Sequence, residues 1–257
     1  MSAVDLAFTD SGGRGDAVLL AHAIGLDRRM WDDLAAALAP DYRVVAIDAR
    51  GHGASPVPPR PYTLAGMADD AARVLDRLGI ARAHWVGLSM GGMVGQAFAL
   101  AHAARLGRLV LANTTSAYGP DGRPNWDNRI RLVSEGGLAA IRDMVTARYF
   151  CAAYIERHRD VVDRVMGRFM ETPADGYLGC CEAIRELDYS RSLASIRAPT
   201  LVIAGELDQG TPPAMSRAIA DGIPGARMAI ISGAAHLSAV EKPAQFAALV
   251  RGFLAER

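Results

Sequence analysis

The stretch Gly87-Leu88-Ser89-Met90-Gly91-Gly92 follows an apolar run at 84–86 and precedes an alanine-rich segment at 93–104. The run predicts a buried strand and the alanine-rich segment predicts a helix, so Ser89 lies at an abrupt strand-to-helix turn. Such a turn strains the serine backbone and requires small residues two positions away on either side, which Gly87 and Gly91 provide. The free N–H groups at the start of the helix that follows Ser89 point toward the serine hydroxyl. We therefore interpret Ser89 as a nucleophile, against the alternative of an ordinary glycine-rich turn.

Short apolar runs alternate with segments of helical periodicity on both sides of this turn. Runs that are bounded by polar turns are typical of parallel strands covered on both faces. The alternation specifies an α/β fold with a mostly parallel, doubly wound sheet. The predicted strands span residues 4–8 (an edge strand), 17–21, 43–47, 84–88, 108–112, 200–204 and 228–231, and the predicted helices span residues 31–38, 64–78, 93–104 and 243–254.

The alternation stops between residues 114 and 195, where the periodicity is helical throughout. Helices are predicted there at 126–134, 138–150, 161–171 and 176–187. A helical insertion between two sheet strands predicts a cap over the carboxyl ends of the strands, where open α/β sheets bind ligands. The chain is therefore divided into a core, residues 1–113 and 196–257, and a helical cap, residues 114–195.

The composition excludes several classes of partner. The chain has 257 residues, 51% of them hydrophobic, and its 28 Lys and Arg balance 28 Asp and Glu, so no long-range field attracts nucleic acid or an acidic membrane. No apolar run reaches transmembrane length, and the N-terminus lacks the pattern of a secretory signal. Its three cysteines cannot form a disulfide framework. We expect a cytoplasmic protein that acts on a small molecule, with no membrane or nucleic-acid partner.

A serine hydroxyl is a weak nucleophile near neutral pH, so it needs a base and an acid that orients the base. His236 stands in the loop between the last predicted strand and the last predicted helix. Asp208 follows the strand at 200–204 and lies further into its loop than Glu206. The order Ser89, Asp208, His236, each after a predicted strand, predicts a catalytic triad.

His52 is the alternative base, and it lies in the loop Asp48-Ala49-Arg50-Gly51-His52-Gly53. We expect the charged residues of this loop to be structural, with Asp48 as the internal partner of Arg50. His52 and Arg50 are then expected to affect stability more than turnover.

An acyl-transfer site also needs donors for the oxyanion that forms during attack. We expect one donor to be the backbone N–H of Met90, the residue after the nucleophile, and the other to be the N–H of Ile24 in the loop after the early strand. The sequence has no metal-ligand cluster and no phosphate-binding glycine loop, so no cofactor is expected.

The chain resembles the α/β-hydrolase superfamily over its whole length. Within it, the chain is most similar to the 3-oxoadipate enol-lactonases of aromatic-acid degradation. The matching segments are Ile203-Ala204-Gly205 with Asp208 and Thr211-Pro212-Pro213, Ala234-Ala235-His236-Leu237-Ser238 with Val240-Glu241, Trp126 with Arg129-Ile130, and Gly176-Tyr177 with Cys180-Cys181.

The resemblance implies an α/β-hydrolase fold and a serine hydrolase that opens a small lactone bearing a carboxylate, with 3-oxoadipate enol-lactone as the leading candidate. Relatives often carry a basic residue where this chain has Ala117, so Arg129 and Arg148 become the candidates for binding the substrate carboxylate, with Trp126 as a wall of the pocket. Either arginine could instead lie on a solvated helix face.

Three other functions remain open at this point. The early loop reads His22-Ala23-Ile24, where the lactonases are expected to have Asn-Ser-Leu, and this departure favours a carboxylesterase of the same fold. A cofactor-free perhydrolase would use the same triad. A non-catalytic ligand-binding protein on a hydrolase fold is the alternative of another class.

Overall fold

The computed structural model describes residues 4–120 and 122–256. In this part of the chain, seven strands form one sheet in the order β1-β3-β2-β4-β5-β6-β7, with β1 antiparallel to β3 and every other neighbouring pair parallel. The fold class predicted from the sequence is confirmed. The strands are β1 (Phe8–Asp10), β2 (Ala17–Ala21), β3 (Arg43–Ile47), β4 (Ala83–Leu88), β5 (Leu106–Ala112), β6 (Thr200–Gly205) and β7 (Arg227–Ile231).

Helices cover both faces of the sheet, which explains why all residues of β2 and β6 are buried. On these faces α2 packs against α3, and α1 packs against α11. The helices of the core are α1 (Asp32–Leu38), α2 (Leu64–Arg77), α3 (Met90–Ala101), α9 (Pro213–Gly222), α10 (Ser238–Glu241) and α11 (Pro243–Leu254).

The chain between β5 and β6 is helical, and it folds over the sheet edge where the parallel strands end. In it α4 packs against α8, and the buried ring of Phe169 contacts the buried rings of Tyr149 and Tyr177. The helices are α4 (Gly122–Gly136), α5 (Arg142–Tyr149), α6 (Ala152–Arg157), α7 (Arg159–Glu171) and α8 (Ala174–Arg185). No helix in the described ranges is long and apolar enough to cross a membrane.

The predicted edge strand at 4–8 is wrong in its position, because β1 spans Phe8–Asp10. The backbone N–H groups of Val4 and Ala7, before β1, donate to side chains. The N–H of Val4 donates to Asp70 Oδ1 at 2.6 Å, and the N–H of Ala7 donates to Ser55 Oγ at 2.8 Å. Hydrogen bonds of this kind cannot be read from an apolar run.

Seven of the eight predicted helices differ from the structure in at least one bound, and only the helix at 243–254 matches at both ends. Helix α3 begins at Met90 and ends at Ala101, so it starts directly after Ser89 and leaves residues 102–104 outside. The predicted helix at 138–150 is a 3-10 turn, Leu138–Ile141, followed by α5, and the predicted helix at 31–38 begins at Asp32 after the 3-10 turn Arg28–Trp31. Helices α6, α9 and α10 were not predicted from the sequence. In α9 a proline occupies the first turn, where no N–H is needed.

The loop after β3 is buried, and its ion pairs differ from those expected. The guanidinium of Arg50 bonds to Asp70 on α2, with Nε at 2.6 Å from Oδ2 and Nη2 at 2.8 Å from Oδ1. Asp48 pairs with Arg28 instead and accepts from the N–H of Ala54 at 2.9 Å. The expectation that Asp48 is the partner of Arg50 is therefore wrong, since helix α2 brings a second carboxylate to the guanidinium.

Replacing Asp70 by Ala should lower the free energy of unfolding by about 3–5 kcal/mol, because it leaves the buried Arg50 guanidinium without this carboxylate. The Asp70 side chain is fully buried. Asp69→Ala is the matched control: its carboxylate is 56% exposed and pairs with His102 at 2.8 Å. A surface pair of this kind contributes about 0–1 kcal/mol. Urea denaturation measures both variants, and equal losses would contradict the assignment.

Candidate active site

Ser89 joins β4 to α3 in a backbone conformation that side chains rarely adopt, with φ 55° and ψ −116°. A Cβ atom at Gly87 would lie 2.1 Å from the carbonyl oxygen of Gly91, and one at Gly91 would lie 2.0 Å from that of Ala21. Glycine is therefore required at both positions, as the sequence pattern predicted. The hydroxyl of Thr114 donates to the Ser89 carbonyl at 2.8 Å and helps to hold the turn.

The three residues predicted as a triad form one hydrogen-bonded chain. The Nε2 atom of His236 lies 2.9 Å from Ser89 Oγ, and its Nδ1 atom lies 2.8 Å from Asp208 Oδ2. Ser89 follows β4, Asp208 follows β6 and His236 follows β7, so the strand ends of one sheet edge bring them together. This geometry allows His236 to accept the hydroxyl proton of Ser89 while Asp208 orients the imidazole.

The carboxylate of Asp208 is surrounded by donors besides His236. It accepts from the N–H of Gly210 at 2.8 Å, from Thr211 Oγ1 at 2.8 Å and from Asn113 Nδ2 at 3.0 Å. Burial by itself would raise the pKa of Asp208, but the charge of His236 and the hydrogen bonds from His236, Thr211 and Asn113 lower it to about 2. Asp208 is therefore ionised at neutral pH.

Asn113 and Thr211 are site residues that the sequence analysis did not identify. Asn113 has φ 46° and accepts from Ser238 Oγ at 2.5 Å, which fixes its amide toward Asp208. Its position at the end of β5, next to the strand that precedes Asp208, was the available signal. Glu206, the other acid considered, accepts from Ser232 Oγ at 2.6 Å and from the N–H of Gly233 at 2.8 Å.

His52, the alternative base, contacts the loop after β2. Its Nε2 atom accepts the N–H of Gly25 at 2.9 Å, and its Nδ1 atom lies 3.2 Å from the Arg50 carbonyl. Burial, together with the nearby His22, lowers the pKa of His52 to about 3. The ring is therefore neutral at pH 7, and both of its nitrogens contact backbone atoms.

The two amides expected to form an oxyanion hole lie on adjoining segments. Met90 is the first residue of α3, and Ile24 lies in the loop after β2; the N–H of Gly91 donates to the His22 carbonyl at 3.1 Å and joins the two segments. Within residues 4–120 and 122–256, neither the Ile24 N–H nor the Met90 N–H donates to a protein acceptor. Both N–H groups therefore remain candidates for the oxyanion hole.

Trp126, Arg129 and Arg148 line one cleft of about 420 Å³, together with Tyr118 and Gly210. The Arg129 guanidinium lies over the Trp126 ring, 4.8 Å from its centre, and its Nη1 atom donates to the Tyr177 hydroxyl at 3.3 Å. A Cβ atom at Gly210 would lie 3.1 Å from the side chain of Arg148 and 3.2 Å from His236 Nδ1. The cleft therefore adjoins the triad.

The cleft is unusual in its charge. Arg129 is only 7% exposed and Arg148 is half-buried, yet among the described residues no carboxylate forms an ion pair with either side chain. Burial and the charge of Arg129 lower the pKa of Arg148. Because buried charges are normally paired, two guanidinium groups in this state favour binding of an anion.

The sheet, the strained serine and the hydrogen-bonded triad define an α/β hydrolase. Residues 18–249 match the alpha/beta hydrolase family, and the chain belongs to that family. It is 34% identical to 3-oxoadipate enol-lactonase 2 of Acinetobacter baylyi over 230 residues, which is 90% of this chain and 85% of the relative. It is 33% identical to a putative carbamate hydrolase RutD of Variovorax paradoxus, over 94% of this chain and 92% of the relative.

Solved structures of an enol-lactonase and of an esterase also resemble this chain over nearly its whole length. The enol-lactonase from Burkholderia xenovorans LB400 superposes with a TM-score of 0.95 at 36% identity, over 99% of each chain. A thermophilic esterase from Thermogutta terrifontis superposes with a TM-score of 0.92 at 32% identity, over 98% of this chain and 93% of that chain. The resemblance to enol-lactonases stated from the sequence is confirmed.

The pKa of Asp208 predicts how the stability of the fold depends on pH. The folded-state pKa of about 2 lies below the ordinary value of 3.8. The ionised Asp208 carboxylate therefore stabilises the folded state above about pH 4, and this stabilisation is lost as pH falls toward 2. Between pH 6 and pH 3, the free energies of unfolding of wild type and Asp208→Asn should therefore converge by about 1 kcal/mol. Urea denaturation at the two pH values measures this, and a constant difference would contradict it.

Proposed function

We propose that this protein is a serine hydrolase that opens a small lactone bearing a carboxylate, through an acyl-enzyme on Ser89. The leading candidate substrate is 3-oxoadipate enol-lactone, which is in the name of similar proteins. The observation that carries the proposal is a hydrogen-bonded Ser89–His236–Asp208 chain beside a cleft with two arginines that lack a carboxylate partner in the described chain.

In the first half-reaction His236 Nε2 accepts the proton of Ser89 Oγ as the oxygen attacks the lactone carbonyl. The tetrahedral oxyanion accepts hydrogen bonds from the N–H groups of Ile24 and Met90. Collapse of this intermediate breaks the ring C–O bond and leaves an ester on Ser89. The leaving group is an enolate, which is far less basic than an alkoxide and needs little help from an acid.

In the second half-reaction the leaving group stays attached to the acyl-enzyme through the carbon chain and could close the ring again. The proton that His236 took from Ser89 is transferred to the enolate carbon, which gives the ketone, removes this possibility and returns His236 to the neutral form. A water molecule that gives its proton to His236 then attacks the ester carbonyl. Collapse releases the carboxylate product, and His236 returns the proton to Ser89 Oγ.

The cleft explains why the substrate should be anionic. Arg129 and Arg148 both line it, and a Cβ atom at Gly210, another lining residue, would lie 3.1 Å from the side chain of Arg148 and 3.2 Å from His236 Nδ1. A carboxylate bound by Arg129 or Arg148 would supply the missing counter-ion and hold the lactone in position next to Ser89. The three cysteines are free thiols, which agrees with a reducing compartment, and we expect the reaction to take place in the cytoplasm.

A carboxylesterase acting on neutral esters is the second candidate, favoured by the 32% identity to an esterase of nearly the same length. A fluorophosphonate probe separates either enzyme from a non-catalytic binding protein, because it labels only an activated serine. Side-by-side assay of the enol-lactone and p-nitrophenyl acetate separates the lactonase from the esterase.

Substitutions in the triad should show that its members act as one unit. Ser89→Ala or His236→Ala alone should lower kcat by about 10⁴–10⁶-fold, and the double variant should be scarcely slower. Asp208→Asn should lower kcat by about 10⁴-fold, since His236 is then held in the wrong tautomer. Steady-state kinetics on the enol-lactone measure these losses.

His52→Ala is the control for the assignment of the base. It should lower the melting temperature, and kcat of its folded fraction should fall far less than kcat of His236→Ala, because the His52 ring bonds to the backbone and not to Ser89. If His236→Ala kept near-native activity while a folded His52→Ala protein had none, His52 would be the base.

Arg129→Met and Arg148→Met should distinguish a carboxylate-binding site from an apolar pocket. Loss of a guanidinium that binds the substrate carboxylate should cost about 2–5 kcal/mol in kcat/KM for the anionic lactone. The rate on neutral p-nitrophenyl acetate should be nearly unchanged. Comparison of kcat/KM on the two substrates measures the difference.

Arg131→Met is the matched control, because Arg131 lies on the same helix as Arg129, is exposed, and pairs with Glu135 at 2.7 Å. It should leave both substrates unaffected. Equal losses on both substrates for Arg129→Met would point to folding of the cap, and no loss from either cleft variant would favour the esterase.

A further inference from the structure

The loop of residues 22–26 supplies one of the two expected oxyanion donors, and it contains no regular secondary structure. Its shape must therefore come from side chains that bond to its backbone. Two peptide groups matter most: the one between Ala23 and Ile24, which carries the Ile24 N–H, and the one between Ile24 and Gly25.

Side chains bond to three of the four polar groups of these two peptides. His22 Nδ1 lies 2.7 Å from the Ala23 carbonyl, and His52 Nε2 accepts the Gly25 N–H at 2.9 Å. The Tyr149 hydroxyl donates to the Ile24 carbonyl. In the described chain the fourth group, the Ile24 N–H, has no protein acceptor. The loop is thus held everywhere except at the donor that a ligand would use.

Two of the groups that hold the loop come from the cap. Tyr149 is the last residue of α5, and Thr172, directly after α7, donates through Oγ1 to the Gly25 carbonyl at 3.1 Å. The Phe169 ring closes the other side, since a Cβ atom at Gly25 would lie 2.6 Å from it. The position of this loop therefore depends on the cap as well as on the sheet.

Tyr149 also contacts the expected general base. Its ring is nearly parallel to the imidazole of His236, with 5.9 Å between the ring centres and an angle of 17°. Its backbone carbonyl accepts the N–H of Leu237 at 2.9 Å. Tyr149 is 2% exposed, and burial raises the pKa of its hydroxyl, so the hydroxyl stays protonated and able to donate.

We infer that Tyr149 is a positioning residue for acyl transfer: its hydroxyl orients the Ile24–Gly25 peptide so that the Ile24 N–H faces the oxyanion, and its ring holds the His236 imidazole. This inference rests on the proposed function, because it assigns a role in the same reaction. The cap then completes the catalytic geometry in addition to lining the cleft. An oxyanion donor acts only if it is already oriented when the charge develops, which is why its support matters.

Tyr149→Phe tests the inference, because it keeps the ring and removes only the hydroxyl. Loss of orientation at one oxyanion donor should lower kcat by about 10–100-fold, less than complete loss of a donor. KM should stay within about twofold, because the hydroxyl bonds to the loop and not to bound substrate. A boronic acid, which forms a tetrahedral adduct with the nucleophilic serine, should bind more weakly by a factor similar to the loss in kcat.

Tyr154→Phe is the matched control. The Tyr154 hydroxyl also joins the cap to the core, donating to the Val240 carbonyl at 3.2 Å, but it does not contact the loop of residues 22–26. This variant should keep the kcat and the boronic-acid affinity of wild type. Thr172→Val is a second probe of the loop, expected to weaken boronic-acid binding by about 3–10-fold, and it remains informative if Tyr149→Phe does not fold.

A Tyr149→Phe protein with the kcat and boronic-acid affinity of wild type would overturn the inference. A lower melting temperature with both values unchanged would identify Tyr149 as a packing residue and would also overturn it. A wild-type protein that neither turns over the lactone or ester nor reacts with the fluorophosphonate probe would overturn the proposed function itself. The two failures are distinguishable because only the second is seen in the wild-type protein.

Discussion

The strained backbone of Ser89 determines how the elements around it can be arranged. A non-glycine residue at φ 55° costs on the order of 1–3 kcal/mol, so surrounding contacts must hold it. The indole of Trp85 donates to the Gly91 carbonyl at 3.0 Å, and the Gly91 N–H donates to the His22 carbonyl. These bonds place the first turn of α3 against the end of β2. The loop after β2 is thereby held beside the serine.

The charges of the site are divided between the sheet and the cap. On the sheet side, the carboxylate of Asp208 accepts enough hydrogen bonds to remain ionised in a buried position. Its negative charge therefore needs no further partner from a ligand. The cap contributes Arg129 and Arg148, which have no carboxylate partner among the described residues. A ligand that carries a carboxylate would complete this balance. A neutral ester would leave one buried and one half-buried guanidinium without a carboxylate, which is the electrostatic reason to favour an anionic substrate.

The cap is bonded at several points to the loops that carry the candidate site residues. Glu241 is buried and accepts the N–H of Cys151 at 2.8 Å and the N–H of Ala235, next to the triad histidine. Tyr149 bonds to Leu237 on the other side of that histidine. On α8, Gly176 lies against Gly51: a Cβ atom added to Gly176 would be 2.1 Å from the carbonyl oxygen of Gly51. Movement of the cap would therefore displace His236 and the loop of residues 22–26 together.

The sequence by itself determined the α/β class, the alternation of strands and helices along the chain, the turn at Ser89 and the positions of Asp208 and His236 after their strands. Those features depend on residues within a few positions of one another: glycines two residues from a serine, and polar residues directly after apolar runs. Tertiary structure decided the partners. Arg50 bonds to Asp70 and not to Asp48, Asn113 bonds to Asp208 across 95 residues, and Tyr149 bonds to Ile24 across 125 residues. Such pairs form only when the cap and helices pack on the sheet, because packing selects which distant donor reaches a buried acceptor.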